Sequence, residues 1–552
     1  MPMIEKLRTE APRKTMALLL ALTTALGPTV IPAFAADKPA SKPTKNAAPA
    51  TATPIQHLVV IFNENVSFDH YFGTYPYATN PAGEPRFVPA PDTPTVNGLS
   101  PALLTNNPNL NSANGAGAAN PFRLDRTQAV TNDMDHDYQA EQQASDGGAE
   151  DLYPEYTGSA GPPPSGSGVT QTTGLVMGYF DGNTTTAMWN YAQNFALSDN
   201  SHGTTFGPST VGVLNTIAGQ TNGAVTTLNG TGDEVSGGPD GSLTVIGDPD
   251  PIGDVCSNPS RNQVQMGGKT IGDLLNAAGV SWGGFMGGFN LSIVNSNGTT
   301  GCSRSSSGLA GTTADYVPHH SLFAYWPSVA NPNHTRPASL AEIGWAGPAN
   351  HQYDIEDFYA AAASGNLPAV SFLKAPAYQD AHPGYSDPLD EQTFVVNTVN
   401  LLQSLPTWSS TAVVVMYDDS DGWYDHQLGP IVNPSTGTAD ALTGPGACGT
   451  GATSLPGINT TANPHALGRC GYGPRLPLLV ISPWAKKNFV DHSVTDQSSV
   501  IHFIEDNWLG GQRIGQGSFD GVANSIAQDF DFAKVRSNGV LFLNPSTGER
   551  VP

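Results

Sequence analysis

The sequence predicts an α/β fold: a mostly parallel central sheet with helices on both faces and long loop insertions. Two observations lead there. Five short apolar runs, "HLVVIF" (57–62), "VSWGGFM" (280–286), "AVSFL" (369–373), "AVVVM" (412–416) and "LPLLVIS" (476–482), are rich in β-formers and bounded by turn residues. Runs of this kind read as strands buried on both faces. Interleaved with them are four amphipathic stretches, "TIGDLLNAAG" (270–279), "HQYDIEDFYAAAASG" (351–365), "LDEQTFVVNTVNLLQSL" (389–405) and "DQSSVIHFIEDNWLG" (496–510). Several end in Gly, the usual left-handed cap of a helix. Strands that alternate with helices imply crossover connections and hence parallel pairing.

The first 35 residues come before any of these elements. Lys6, Arg8, Arg13 and Lys14 precede the apolar "MALLLALTTALG", and Ala33-Phe34-Ala35 stands before Ala36. That is the layout of a secretory signal peptide, residues 1–35. Residues 36–54, "ADKPASKPTKNAAPATATP", are a Pro/Ala/Thr linker expected to be disordered. Residues 55–552 then form a single domain, a permitted size for one large α/β unit with insertions. The largest insertion covers about residues 78–170 and contains "TGSAGPPPSGSG"; others fall near 222–262, 294–318 and 429–470. No run after the N-terminal one is long enough to cross a bilayer.

Composition narrows the partners. Only 13% of residues are charged, and the formal net charge is -24. Phosphate backbones and anionic membranes both call for clustered Lys and Arg, so the charge argues against nucleic acid as a partner and offers no basic patch for an anionic membrane, and no stable membrane insertion is expected. The four cysteines, Cys256, Cys302, Cys448 and Cys470, lie in Gly/Ser-rich stretches of a chain read as exported. Nearness in sequence pairs Cys256 with Cys302 and Cys448 with Cys470.

In open α/β sheets ligands sit outside the carboxyl ends of the strands. "HLVVIF" exits into Asn63-Glu64-Asn65, and "AVVVMY" exits into Asp418-Asp419. Asn and Asp follow strands for turn formation as well. Three carboxylates gathered at neighbouring exits would nonetheless repel unless neutralised. No Lys or Arg adjoins either cluster in sequence, so a bound cation is the expected counter-charge. A third piece, "TTFGPSTVGVLNTIAG", places Ser209 at the first turn of a helical run. Free N–H groups there attract an anion such as phosphate, although Ser is also the ordinary residue at a helix start.

With these pieces together, the sequence resembles the bacterial phospholipase C / acid phosphatase family of phosphoesterases, related to the alkaline phosphatase superfamily. "NENVSFDHYFGTYP" is similar to that family's opening motif, "TTFGPS" to its nucleophile loop, "MYDDSDGWYDH" to its second metal motif, and "GYGPRLPLLVISPWAKKNFVDH" to its G-x-G-x-R-x-P segment. The resemblance spans about residues 57–508 and implies an alkaline-phosphatase-like catalytic domain. It implies Glu64, Asn65, Ser209, Asp418 and Asp419 as metal ligands, with Ser209 also the nucleophile. It implies His136 and His382 as phosphate-handling histidines, with His351 a third candidate and His426 a support for Asp419 or a loop. Where the family often carries Asn three residues after its nucleophile, this chain has Gly212, with Asn215 further on.

Oxygen donors of this kind favour one Ca²⁺, Mg²⁺ or Mn²⁺; Zn²⁺ is compatible but usually gathers more His or Cys. The implied reaction is in-line attack of Ser209 on phosphorus, a phosphoserine intermediate, and proton donation to the leaving oxygen, with His382 ahead of His136. The implied product is a secreted, broad-specificity acid phosphatase. The alternatives are a phospholipase C acting on phosphatidylcholine-type diesters and, from another class, an inactive secreted binding protein of the same fold.

Overall fold

A computed structural model of the chain describes residues 50–158, 172–237, 242–442, 448–450, 455–458, 467–535 and 539–551. The proposed signal peptide, the linker as far as residue 49, and most of "TGSAGPPPSGSG" lie outside the described residues. At Ala52 and Thr53 the chain is already tied down: both N–H groups donate to Asn507, each at 2.9 Å.

A nine-stranded sheet forms the centre. Its order is Gln352–Asp354, Trp282–Met286, Val370–Lys374, His57–Asn63, Thr411–Tyr417, Arg475–Ile481, Ala196–His202 and Phe489–Asp491, with Thr495–Asp496 also beside Ala196–His202. The four strands Val370–Lys374, His57–Asn63, Thr411–Tyr417 and Arg475–Ile481 are buried along essentially their whole length. Burial without alternation means that both faces are covered. The helix Ser209–Ala218 packs beside Ile271–Ala278 and Ser499–Trp508, and Thr186–Asn194 packs beside Pro388–Ser404.

Parallel pairing holds from Gln352–Asp354 through Thr411–Tyr417. It fails at Arg475–Ile481, which runs antiparallel to both of its neighbours. Thr411–Tyr417 ends where Arg475–Ile481 begins, at the same end of the sheet, which is the arrangement antiparallel neighbours require. One helix expectation also shifts. Within "HQYDIEDFYAAAASG", Gln352–Asp354 joins the sheet edge, and the helix begins at Ile355 because Asp354 caps it, accepting from Glu356 N–H.

The insertion near 222–262 is not a loop. It contributes to a separate five-stranded sheet of Glu234–Ser236, Leu243–Val245, Asn222–Leu228, Gln263–Met266 and Asp250–Pro251. The other early insertions are pinned locally: Ser305–Gly308 pairs with Gly311–Ala314, and the disulfides are Cys256–Cys302 and Cys448–Cys470 as paired from sequence.

Candidate active site

The register of two strands creates the site. His57–Asn63 and Thr411–Tyr417 are parallel with Asn63 opposite Tyr417, so the next residues, Glu64 and Asp418, leave the sheet side by side. Beneath them, Glu391 holds both exits. Its Oε1 accepts from Asn63 Nδ2 at 2.7 Å and from Tyr417 OH at 2.6 Å, and its Oε2 accepts from Tyr71 OH at 2.9 Å. Asn65 adopts a left-handed conformation (φ 46°), which turns its N–H onto Asp418 Oδ1 at 3.1 Å and its side chain towards Asp421.

Ser209 comes from a different layer and meets both exits. Its Oγ lies 3.0 Å from Glu64 Oε2 and 3.2 Å from Asp419 Oδ2. Gly212, one turn further along the helix, explains the close approach. A Cβ there would stand 2.2 Å from the Asp418 carbonyl oxygen, so only glycine lets the helix start seat against this turn. The departure from the family pattern at this position therefore has a packing cause, while Asn215 points away to Thr205 Oγ1 at 3.0 Å.

All five residues expected to bind metal are thus together, each buried. The charge balance differs from expectation. Lys374, at the end of the strand neighbouring His57–Asn63, is a buried ammonium paired with Glu64 Oε1 and, at 3.2 Å, with Asp418 Oδ2. It lies beside neither cluster in sequence and reaches them only through the sheet. One cation does not neutralise the group. Burial and the Glu64 carboxylate push Asp418 up to about 8, and burial and Asp418 hold Asp419 well above the carboxylate range. Asn65 Oδ1 is buried with no hydrogen-bond partner. A set of crowded carboxylates, a hydroxyl and an unpaired amide oxygen fits a hard divalent cation.

Two of the three expected histidines arrive. His136 Nε2 lies 3.4 Å from Asn65 Nδ2, and its ring centroid is 6.1 Å from that of His382. His136 Nδ1 sits 2.8 Å from the Met134 carbonyl and His382 Nδ1 2.6 Å from that of Pro383, so each Nδ1–H is engaged by backbone. Burial lowers His136, but Asp419, Asp421, Asp133 and Asp248 outweigh it and hold the ring well above the usual imidazole range. Burial pulls His382 below that range. This reverses the order in which the two were expected to carry a proton.

His351 is not in the site. It precedes Gln352–Asp354, at the entry end of parallel strands whose exits form the cluster, and it stacks on Trp282 at 4.3 Å. Its place is taken by His320, which sequence reading missed. His320 Nδ1 is 3.1 Å from Glu64 Oε1, and its ring lies 6.2 Å from His382. His426 supports a loop rather than Asp419. Its Nδ1 is 2.6 Å from Asp69 Oδ2, within a buried group where Arg475 pairs with Asp69 and Asp425. The helix start is also partly occupied, since Thr210 N–H donates to Asp248 Oδ1 at 2.9 Å rather than standing free for a phosphate oxygen.

Buried acids surround a serine beside two strand exits, with imidazoles alongside, and sequence comparison gives the class. The chain belongs to the Phosphoesterase family, whose sequence model matches residues 55–509. It is a phosphoric ester hydrolase. It is 25% identical over 497 residues to phospholipase C A of Mycobacterium tuberculosis, covering 88% of this chain and 79% of that protein. It is 34% identical over 153 residues to the non-hemolytic phospholipase C of Pseudomonas aeruginosa, covering 26% of this chain and 20% of that one. A solved alkaline phosphatase superfamily protein from Vibrio parahaemolyticus shares 14% identity with a TM-score of 0.26 over 62% of this chain and 65% of its own, too slight a likeness to bear on function.

Proposed function

We propose that this chain is an exported, metal-dependent phosphomonoesterase of acid phosphatase type that works through Ser209. The observation that carries the nucleophile is the position of Ser209 Oγ, 3.0 Å from Glu64 and 3.2 Å from Asp419 at the start of a helix. Glu64, Asn65, Ser209, Asp418 and Asp419 would hold one divalent cation, with Ca²⁺, Mg²⁺ or Mn²⁺ favoured by the oxygen donors. Such an ion, when bound, lowers the pKa of a hydroxyl beside it and neutralises phosphoryl charge.

The chain's own residues supply the rest. Ser209 Oγ attacks phosphorus, forming the Ser–O–P bond as the ester P–O bond breaks opposite it. The leaving alkoxide takes a proton from His136, the imidazole that the surrounding carboxylates hold protonated. Water then cleaves the phosphoserine, releasing phosphate and restoring the hydroxyl. The protonated His136, at one end of a row with His382 and His320 whose centroids are 6.1 and 6.2 Å apart, supports the monoester. A phosphomonoester carries up to two negative charges to meet it, and a diester only one. Lys374 adds fixed positive charge nearby.

The named relatives support a second reading, a phospholipase C acting on choline-type diesters. Export agrees with the basic and apolar N-terminal stretch and the two disulfides. Among the described residues no helix is long and apolar enough to cross a membrane. The test is turnover of p-nitrophenyl phosphate, p-nitrophenylphosphorylcholine and phosphatidylcholine vesicles, with and without chelator. Chelator-sensitive hydrolysis of the first alone supports the phosphatase. Preference for the choline esters overturns it in favour of the lipase. Ser209→Ala should abolish turnover while leaving the protein folded, and retained activity would remove the nucleophile assignment.

A further inference from the structure

Glu141 stands on the helix Tyr138–Ser145, five residues past His136, and is 3% exposed. It takes no part in the proposed reaction and is not one of the proposed cation ligands. Its two oxygens reach two different catalytic segments. Oε2 accepts Gly207 N–H at 2.9 Å, and Oε1 accepts Ser420 Oγ–H at 2.7 Å.

Both contacts adjoin reacting groups. Gly207 lies two residues before Ser209 and has φ +119°, a conformation open to glycine, so the turn that delivers the nucleophile has little stiffness of its own. Ser420 follows Asp419 directly, and its Oγ also accepts Gly422 N–H at 3.0 Å, closing the carboxylate turn on itself. One carboxylate therefore joins the segments that carry His136, Ser209 and Asp419.

We propose that Glu141 is a positioning residue that fixes the Ser209 turn against the Asp418–Asp419 turn. The inference rests on Ser209 being the nucleophile. The cross-tie sets the 3.2 Å separation of Ser209 Oγ and Asp419 Oδ2 from outside the ligand shell. A displacement of about 1 Å at a reacting atom costs roughly 10²-fold in rate. The tie acts on the alignment of attack and leaves the phosphate-facing imidazoles in place; because Ser209 and Asp419 are also two of the five proposed ligands, it bears on the cation as well. Its removal accordingly lowers kcat at saturating cation, spares KM, and weakens cation affinity by less than it lowers kcat.

The test compares Glu141→Leu, Glu141→Gln and Ser420→Ala with the parent, using p-nitrophenyl phosphate for kinetics and Mn²⁺ titration calorimetry for affinity. Leu removes both contacts and should lower kcat at saturating Mn²⁺ by about 10²-fold, with KM within about threefold and the Mn²⁺ Kd raised by no more than about tenfold. Gln can keep Gly207 through its amide oxygen and donate to Ser420 through its amide nitrogen, so it should recover kcat to within about fivefold of the parent. Ser420→Ala keeps Glu141 but cuts its arm to the carboxylate turn, together with the Gly422 N–H bond to the same hydroxyl, and should lower kcat by roughly tenfold. It decides the matter if the Leu variant does not fold. A kcat within twofold of the parent in Ser420→Ala, or in a folded Leu variant, overturns the proposal. So does a loss confined to KM or to Mn²⁺ affinity. Ser209→Ala run alongside separates the two claims: activity there sinks the nucleophile, whereas an inactive Ser209→Ala with normal Glu141 variants sinks only the cross-tie.

Discussion

Replacing Lys374 by Met keeps the aliphatic stem and removes the charge. The ammonium is 1% exposed, 4.7 Å from the centre of the Phe62 ring, and paired with Glu64 and with Asp418 at 3.2 Å. Burial works against its charge, yet Asp418, Glu64 and Asp380 together hold its pKa above the ordinary lysine value. Removing one member of a buried ion pair leaves the other uncompensated, at a typical cost of about 3–5 kcal/mol. An unfolding entropy of about 2.1 cal/mol/K per residue, over a body of roughly 500 residues, amounts to ~1 kcal/mol per kelvin. The metal-free Lys374→Met protein should therefore melt about 3–5 °C lower than the parent. Divalent cation should offset part of this, because saturating a site at about 100 times Kd stabilises by ~2.7 kcal/mol. With the ammonium gone, the carboxylates attract the cation more strongly, so the cation-induced rise in Tm should be larger in the variant. Differential scanning calorimetry with EDTA and with Mn²⁺ measures both quantities. A metal-free shift below about 1 °C, or a smaller cation response than the parent's, would refute the charge argument.

Two further outcomes follow from the same geometry. His320→Ala should lower kcat/KM by about 10²-fold or more on p-nitrophenyl phosphate, whereas His351→Ala should leave it unchanged and lower only Tm; equal effects on rate would show that the wrong histidine has been placed beside Glu64. Burial pushes Glu391 up to about 7 despite hydrogen bonds from Tyr417, Asn63 and Tyr71. Its unfolded value is ~4.3, so folding favours its protonated form; that stabilisation is complete below the unfolded value and is lost as pH rises through 7. Glu391→Gln should flatten the fall in Tm between pH 5 and 7, and parallel melting curves for parent and variant would contradict the assignment.

The strand runs were legible because a strand covered on both faces is mostly apolar, and the middles of His57–Asn63, Val370–Lys374 and Thr411–Tyr417 are, with Ser371 the one polar interruption. Ala196–His202 was not, because its "ALSDNSH" carries polar side chains that find partners only in the folded interior. Asp199, for example, accepts from Asn97 N–H at 2.7 Å and lies 2.8 Å from His492 Nδ1. The reversed direction of Arg475–Ile481 has no signature in its own residues, since an apolar run reads the same in either sense. Glu64, Asn65, Ser209, Asp418 and Asp419 were singled out from strand exits and motif resemblance, and the fold brings them together. Lys374 obeyed the same exit rule on the third neighbouring strand, where it went unused. His320 carried only the weak signal of the pair His319-His320 after Pro318.

The chain's order of residues by itself determined the family motifs and that Glu64, Asp418 and Asp419 leave two strands buried on both faces. Tertiary structure alone decided their company: that Lys374 shares Glu64 and Asp418, that His320 and not His351 joins the cluster, and that Glu141 spans two turns. The physical reason is range. Local pattern reports on neighbours within a few residues, whereas these contacts are set by strand register and by helix packing between segments dozens to hundreds of residues apart, such as the pairing of Asn63 with Tyr417.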